Sequence, residues 1–220
     1  MTLESSKTLG GIGSILLLIG VIPFGQPYLG VIALIGFILV LVALHGLANF
    51  YKENGIFNSA LYGFIAAIMG VVAAVVAAVY VIFYTSILTD FLHQIYPGWN
   101  GSWSSLVGLT PNTSNITTSD LTPVLGAVFS VLAILWIFLM ISAYFNRRSL
   151  KTLSAKANVG LFSTAGLVLI IGAVLAIILI GLVLMWIAVL LMAIAFFQIL
   201  PQPIHSVAPP APPPQTPTPV

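Results

Sequence analysis

VGLFSTAGLVLIIGAVLAIILIGLVLMWIAVLLMAIAFFQIL, residues 159–200, holds 42 consecutive positions without a charged side chain. A single helix of that length would run about 63 Å at roughly 1.5 Å per residue, about twice the hydrocarbon thickness of a bilayer. The stretch must therefore fold back on itself as two spans, 159–179 and 181–200. Gly181 is the natural place for the turn, with Gly172 as the other choice. Reading this segment as a membrane hairpin, and not as one long helix, fixes the number of spans and the side on which the chain ends.

The composition agrees with a lipid-solvated chain. It is 60% hydrophobic and 5% charged over 220 residues, whereas soluble domains carry about 25% charged residues. Four further apolar stretches appear, at residues 8–24, 28–50, 58–86 and 123–145. The expectation is an all-α polytopic bundle of about six transmembrane helices over residues 1–200, with an outer loop at 87–121. Lys7 before the first apolar run is signal-like, but no small-x-small cleavage site follows, so the first segment reads as an uncleaved span. Pro23 and Pro27 force a turn between the first two spans. Asn54-Gly55 reads as the stop of the second helix, Asn58 and Asn158 as caps of the third and fifth, and Thr122-Pro123 as cap and first position of the fourth.

Charge sets the orientation. Alternating loops place all six basic residues (Lys7, Lys52, Arg147, Arg148, Lys151 and Lys156) on one side, which the positive-inside rule makes cytoplasmic together with both termini. The 87–121 loop, with no lysine or arginine, is then extracellular. It contains the acceptor triplets at Asn100, Asn112 and Asn115, while none of the other five asparagines carries one. These three are the candidates for N-glycosylation. In the same loop, TDFLHQIYPGW places Phe91, Leu92, Ile95, Tyr96 and Trp99 at the outer interface. Residues 201–220 hold nine of the fourteen prolines. They read as a disordered, extended tail, either a solvated spacer or a docking peptide for a cytoplasmic partner.

Chemistry is sparse. Without cysteine there is no disulfide, thiolate metal site or thiol nucleophile. The carboxylates Glu4, Glu53, Asp90 and Asp120 all fall outside or at the ends of the spans, which counts against ion-coupled transport. Asp90 and His93 share a helical face, too few ligands for a metal, and His205 sits in the tail. His45, one turn before Asn49, is the candidate intramembrane polar site; it is either a packing contact or a ligand or gate residue. Ala66, Gly70, Ala74 and Ala78 form a small-residue stripe for close helix packing, within the chain or between copies. Pairs at Gly10/Ser14 and Gly126/Ser130 do the same. LGGIG at residues 9–13 lacks the preceding strand of a nucleotide loop. ILLLIG (15–20) and LVLIIG (167–172) hint at a parallel internal repeat. Scattered basic residues make no nucleic-acid footprint. No cofactor motif and no metal-ligand cluster stands out.

LGGIG, IGVIPF (19–24), LVALHGLANFYKENGIF (41–57) and the glycine-rich hairpin ending AIAFFQI (193–199) together resemble an archaeal family of small integral membrane proteins known only as a domain of unknown function. The resemblance implies an archaeal cell membrane and brings no substrate or catalytic residue. The expected function is a non-enzymatic structural or accessory subunit of a membrane assembly, as a homo-oligomer or with other partners. The alternative is a passive channel or transporter of uncharged or weakly polar solutes, lined by Ser, Thr, Tyr and His45.

Overall fold

The computed structural model describes residues 2–20, 29–114 and 116–200. Among these there is no strand. The helices are α1 (Leu3–Gly20), α2 (Leu29–Phe50), α3 (Asn54–Tyr84), α4 (Ile87–Ile95), α5 (Thr118–Ala157), α6 (Gly160–Leu175) and α7 (Ile180–Phe197). Five of them, α2, α3, α5, α6 with its short 3-10 extension, and α7, are long and apolar enough to cross a membrane. α1 carries Glu4 and Lys7 in its first turns and is not among the five, but it packs between α2 and α7.

The helices close into a ring. α1 packs on α2, α2 on α3, α3 on α5, α5 on α6, α6 on α7, and α7 back on α1. Small residues let the backbones approach. A methyl group at Gly13 would lie 2.8 Å from the Gly36 carbonyl oxygen across the α1–α2 contact, and one at Gly63 would lie 3.1 Å from the Ser142 carbonyl oxygen across α3–α5. In lipid such close packing, and not the hydrophobic effect, holds helices together. Two tryptophans cross-link neighbours. Trp136 Nε1 donates to the Ala173 carbonyl at 3.0 Å, and Trp186 Nε1 to the Leu18 carbonyl at 3.1 Å.

The buried core sits at one end. Leu3, Leu47, Ile56, Leu153, Phe162, Phe196 and Ile199 meet there, with the Phe162 and Phe196 rings edge to face at 5.1 Å. Because the starts of α1, α3 and α6 and the ends of α2, α5 and α7 all contribute, the six basic residues gather at this end. The Ser149 hydroxyl donates to the Ile56 carbonyl at 2.6 Å, and Lys156 pairs with Glu53 at 3.2 Å.

Several boundaries differ from the sequence reading. α5 runs to Ala157, twelve residues past the expected end at Phe145. Asn146 and Arg147 end the membrane-like composition but not the helix, because Ser149, Leu150, Leu153 and Ala157 still bury a face. At its other end α5 begins at Thr118, not Pro123. The Asp120 carboxylate accepts from the Thr117 backbone N–H at 2.9 Å and the Thr117 hydroxyl at 2.6 Å, which satisfies the helix start five residues early. Thr122 and Pro123 lie inside the helix. Asn54-Gly55 opens α3 instead of ending α2, and Asn58 lies in its second turn. Lys52 adopts the left-handed conformation, φ 52°, and the Glu53 N–H reaches back to the Ala48 carbonyl at 2.9 Å. Asn158, φ 55°, closes α5; Val159 precedes α6 as its N-cap.

The turn of the 159–200 hairpin lies at residues 176–179, at neither glycine, with Leu179 left-handed at φ 64°. Gly172 and Gly181 face each other across the hairpin. A methyl group on Gly181 would collide with the Gly172 carbonyl oxygen and the Ala176 backbone nitrogen. Both glycines serve close approach, which leaves the turn to residues that gain nothing from being small.

Candidate functional site: a cavity at the centre of the ring

A cavity of about 220 Å³ lies inside the ring, lined from every ring helix: Leu17 and Leu18 of α1, Val40 and Leu44 of α2, Ala67 of α3, Leu139 and Leu150 of α5, Leu169 of α6, and Met185 and Met192 of α7. Its polar lining comes from α5 alone. Ser142, Asn146 and Ser149 recur at helical spacing and turn one hydrophilic edge inward. The Asn146 side-chain amide donates to the Ser142 carbonyl at 3.0 Å and to the Ser142 hydroxyl at 3.3 Å. The Ser149 hydroxyl is already committed to Ile56. Such a wall suits an apolar or weakly polar guest. It offers no charge to stabilise an ion and no acid–base pair to move a proton.

His45 is not part of this cavity. It is exposed on the outer face of α2, where its Nε2 lies 3.2 Å from the Asn49 amide nitrogen. Its ring meets Phe57 of α3 edge to face at 4.7 Å. Of the residue types expected to line a path (Ser, Thr, Tyr and His45), the cavity holds serine, at Ser142 and Ser149, and no Thr, Tyr or His. Helical spacing alone could not reveal the polar edge that does line it, because Ser142 and Asn146 sit where the charged run of α5 begins.

The small-residue stripe on α3 faces α5. Gly70 is buried with Phe138 against it, and Ala66, Ala74 and Ala78 are half-buried on the same side. Gly126 has open space around it. His93 Nδ1 sits 2.8 Å from the Thr89 carbonyl oxygen, with its ring 4.8 Å from Trp99, so it does not converge with Asp90. Among the described residues no three His, Cys, Asp or Glu side chains come together as a metal would need.

The 87–121 segment is folded. Trp99 is buried, donating its Nε1–H to the Ser102 carbonyl at 2.6 Å and approaching Trp103 at 5.7 Å. Gln94 of α4 donates to Asp120 at 3.2 Å. Asn100 and Asn112 are exposed, and each side-chain oxygen accepts the backbone N–H of the serine two residues on, at 3.0 and 3.1 Å. Asn115 and the proline-rich tail at 201–220, His205 included, lie outside the described residues. The Tyr51 hydroxyl, at the basic end, is buried without a hydrogen-bond partner among the described residues, and burial pushes its pKa up.

Long apolar helices closed into a ring, with a charged end and a lipid-like flank, define a multi-helix membrane protein. The chain belongs to the family described as "Protein of unknown function (DUF996)", whose model matches residues 32–190. It is 26% identical over 199 residues to an uncharacterized protein of the archaeon Methanocaldococcus jannaschii, covering 90% of this chain and 94% of that protein. No solved structure matches.

Proposed function

We propose that this protein is a non-catalytic structural or accessory subunit of a membrane assembly. The observation that supports this reading is the outer part of the α3–α5 pair. The most apolar 18 residues of α5 bury none of their number inside the protein, against 44% for α2. Large side chains such as Val76, Phe83 and Phe129 stand outward, each more than 60% exposed, where lipid or a second protein would cover them. In this reading the basic end and both termini are cytoplasmic, the 87–121 segment faces outward and carries glycans at the candidate asparagines, and the tail engages a cytoplasmic partner. Purification from native membranes in mild detergent, followed by intact-mass measurement, tests it. A defined complex or homo-oligomer is expected. Recovery of a bare monomer under every mild condition contradicts the reading.

The central cavity favours a second reading, a passive path for small uncharged solutes. Its test is solute flux into proteoliposomes with Asn146→Leu as the comparison. Flux that the substitution leaves unchanged removes the cavity from consideration.

A further inference from the structure

The charged end carries a second concavity, of about 210 Å³, lined by Tyr144, Arg147, Arg148 and Lys151. The spacing 144, 147, 148, 151 puts all four on one face of α5. All four are exposed. Among the described residues none of the three cations has a carboxylate within ion-pair distance; the pair found there joins Glu53 to Lys156. Three like charges within about two turns of helix repel one another, and an anion seated among them relieves that repulsion. Arginine guanidiniums present paired N–H groups suited to phosphate oxygens.

The depth of the concavity says where the anion comes from. Along the outer face of α5, exposed Ile137 and Ile141 give way to Tyr144 and then to the cations. On α6, exposed Ser163 and Thr164 give way to exposed Leu167 and Ile171. The two helices are in register here, because a methyl group on Gly166 would lie 3.2 Å from the Arg147 Cα. Both therefore change from polar to apolar at the same level, as they would where hydrocarbon meets headgroup. A tyrosine at that level, with its hydroxyl toward the polar side, is the usual interfacial anchor. Beyond that level, toward the apolar part of the two helices, the next exposed side chains are Ile141 on α5 and Leu167 on α6.

We infer that Tyr144, Arg147, Arg148 and Lys151 form a binding site for the phosphate-bearing headgroup of an anionic membrane lipid, with the acyl chains lying along Ile137, Ile141, Leu167 and Ile171. The site collects half of the chain's basic residues on one face of one helix. A positive-inside bias requires only that they be on one side; it does not require a concavity, a tyrosine or the continuation into exposed apolar side chains.

The full chain, purified in neutral detergent, is titrated with short-chain phosphatidylglycerol, short-chain phosphatidylcholine and inorganic phosphate, and binding is followed by native mass spectrometry. Phosphatidylglycerol is expected to bind at least about tenfold better than the other two. Arg148→Gln/Lys151→Gln should lower that preference by about tenfold. Lys7→Gln/Lys52→Gln, which removes the same charge elsewhere on the same end, should leave it within about twofold. If the first variant loses helicity, the exposed single substitution Lys151→Gln takes its place, with an expected loss of about threefold. Equal losses in the two double variants, an undiminished preference in the first, or inorganic phosphate binding as well as the lipid would each overturn the assignment.

Discussion

The α3–α5 and α6–α7 hairpins stand side by side and are built differently. From the level shared by Arg147 and Gly166, α5 continues back to Thr118, roughly 44 Å of helix, while α6 and its extension reach Ile178 in roughly 18 Å. The taller pair ends in a folded polar segment with Asp90, Asp120 and the exposed asparagines. The shorter one turns through Ala176–Ile178 and Leu179, with Ile177, Ile178, Leu179 and Ile180 all exposed. A turn that emerged into water would expose polar residues; this one exposes isoleucine and leucine. Measured from the shared level, the taller hairpin exceeds the roughly 30 Å of a bilayer's hydrocarbon and the shorter one falls short of it. The comparison teaches that hydropathy and length identify an apolar segment, while its depth is set by what it packs against.

Packing in the two hairpins should respond differently to added bulk. Gly181→Leu drives a side chain into the Gly172 and Ala176 backbones and should cost at least about 3 kcal/mol or abolish folding. Gly126→Ala, in open space on α5, should be neutral or stabilise by up to about 1 kcal/mol. Thermal unfolding of the purified variants reads both, and equal losses would break the contrast. Trp186→Phe removes the bond to the Leu18 carbonyl that ties α7 to α1. It should cost about 1 kcal/mol in the same assay, the upper part of what such bonds contribute in membranes.

At the basic end, Tyr51→Phe deletes a buried hydroxyl without a partner among the described residues and should raise stability by about 1 kcal/mol. The smallest effect belongs to the start of α5. Hydrogen bonds from the Thr117 side chain and backbone hold the Asp120 pKa below its ordinary value. Its folded pKa is depressed, so the stabilisation is fully present above the ordinary carboxylate value near 4 and is lost as pH falls through the lower folded value. Fraying of residues 118–121, followed by NMR, should appear only in that acidic window, and Asp120→Asn should remove the pH dependence.

Much of this was legible in the sequence, for identifiable reasons. Composition gives the all-helical membrane class, and the 159–200 stretch demands a hairpin by length alone. Glycine misled twice. Gly172 and Gly181 read as turn residues, but between membrane helices their use is contact. Asn54-Gly55 read as a helix stop, but Lys52 takes the left-handed position. Polarity misled once: Arg147 and Arg148 end the lipid-facing surface of α5 while the helix runs on to Ala157, because the opposite face still buries Leu150 and Leu153. The cavity was beyond reach, since its lining is gathered from six helices and its polar edge from α5, with no local pattern to mark it. His45 stood out in the sequence because it is ionisable, and it proved to face outward.

The absence of native cysteine makes the central claim directly testable by single-cysteine labelling with a membrane-impermeant maleimide in intact cells. Ser102→Cys, in the 87–121 segment, should label at once. Ala155→Cys, at the basic end of α5, should label only after permeabilisation. Ile178→Cys, at the tip of the shorter hairpin, should resist labelling from both sides. Labelling of Ala155→Cys but not Ser102→Cys in intact cells would invert the orientation, and ready labelling of Ile178→Cys from outside would show the two hairpins to be equally deep.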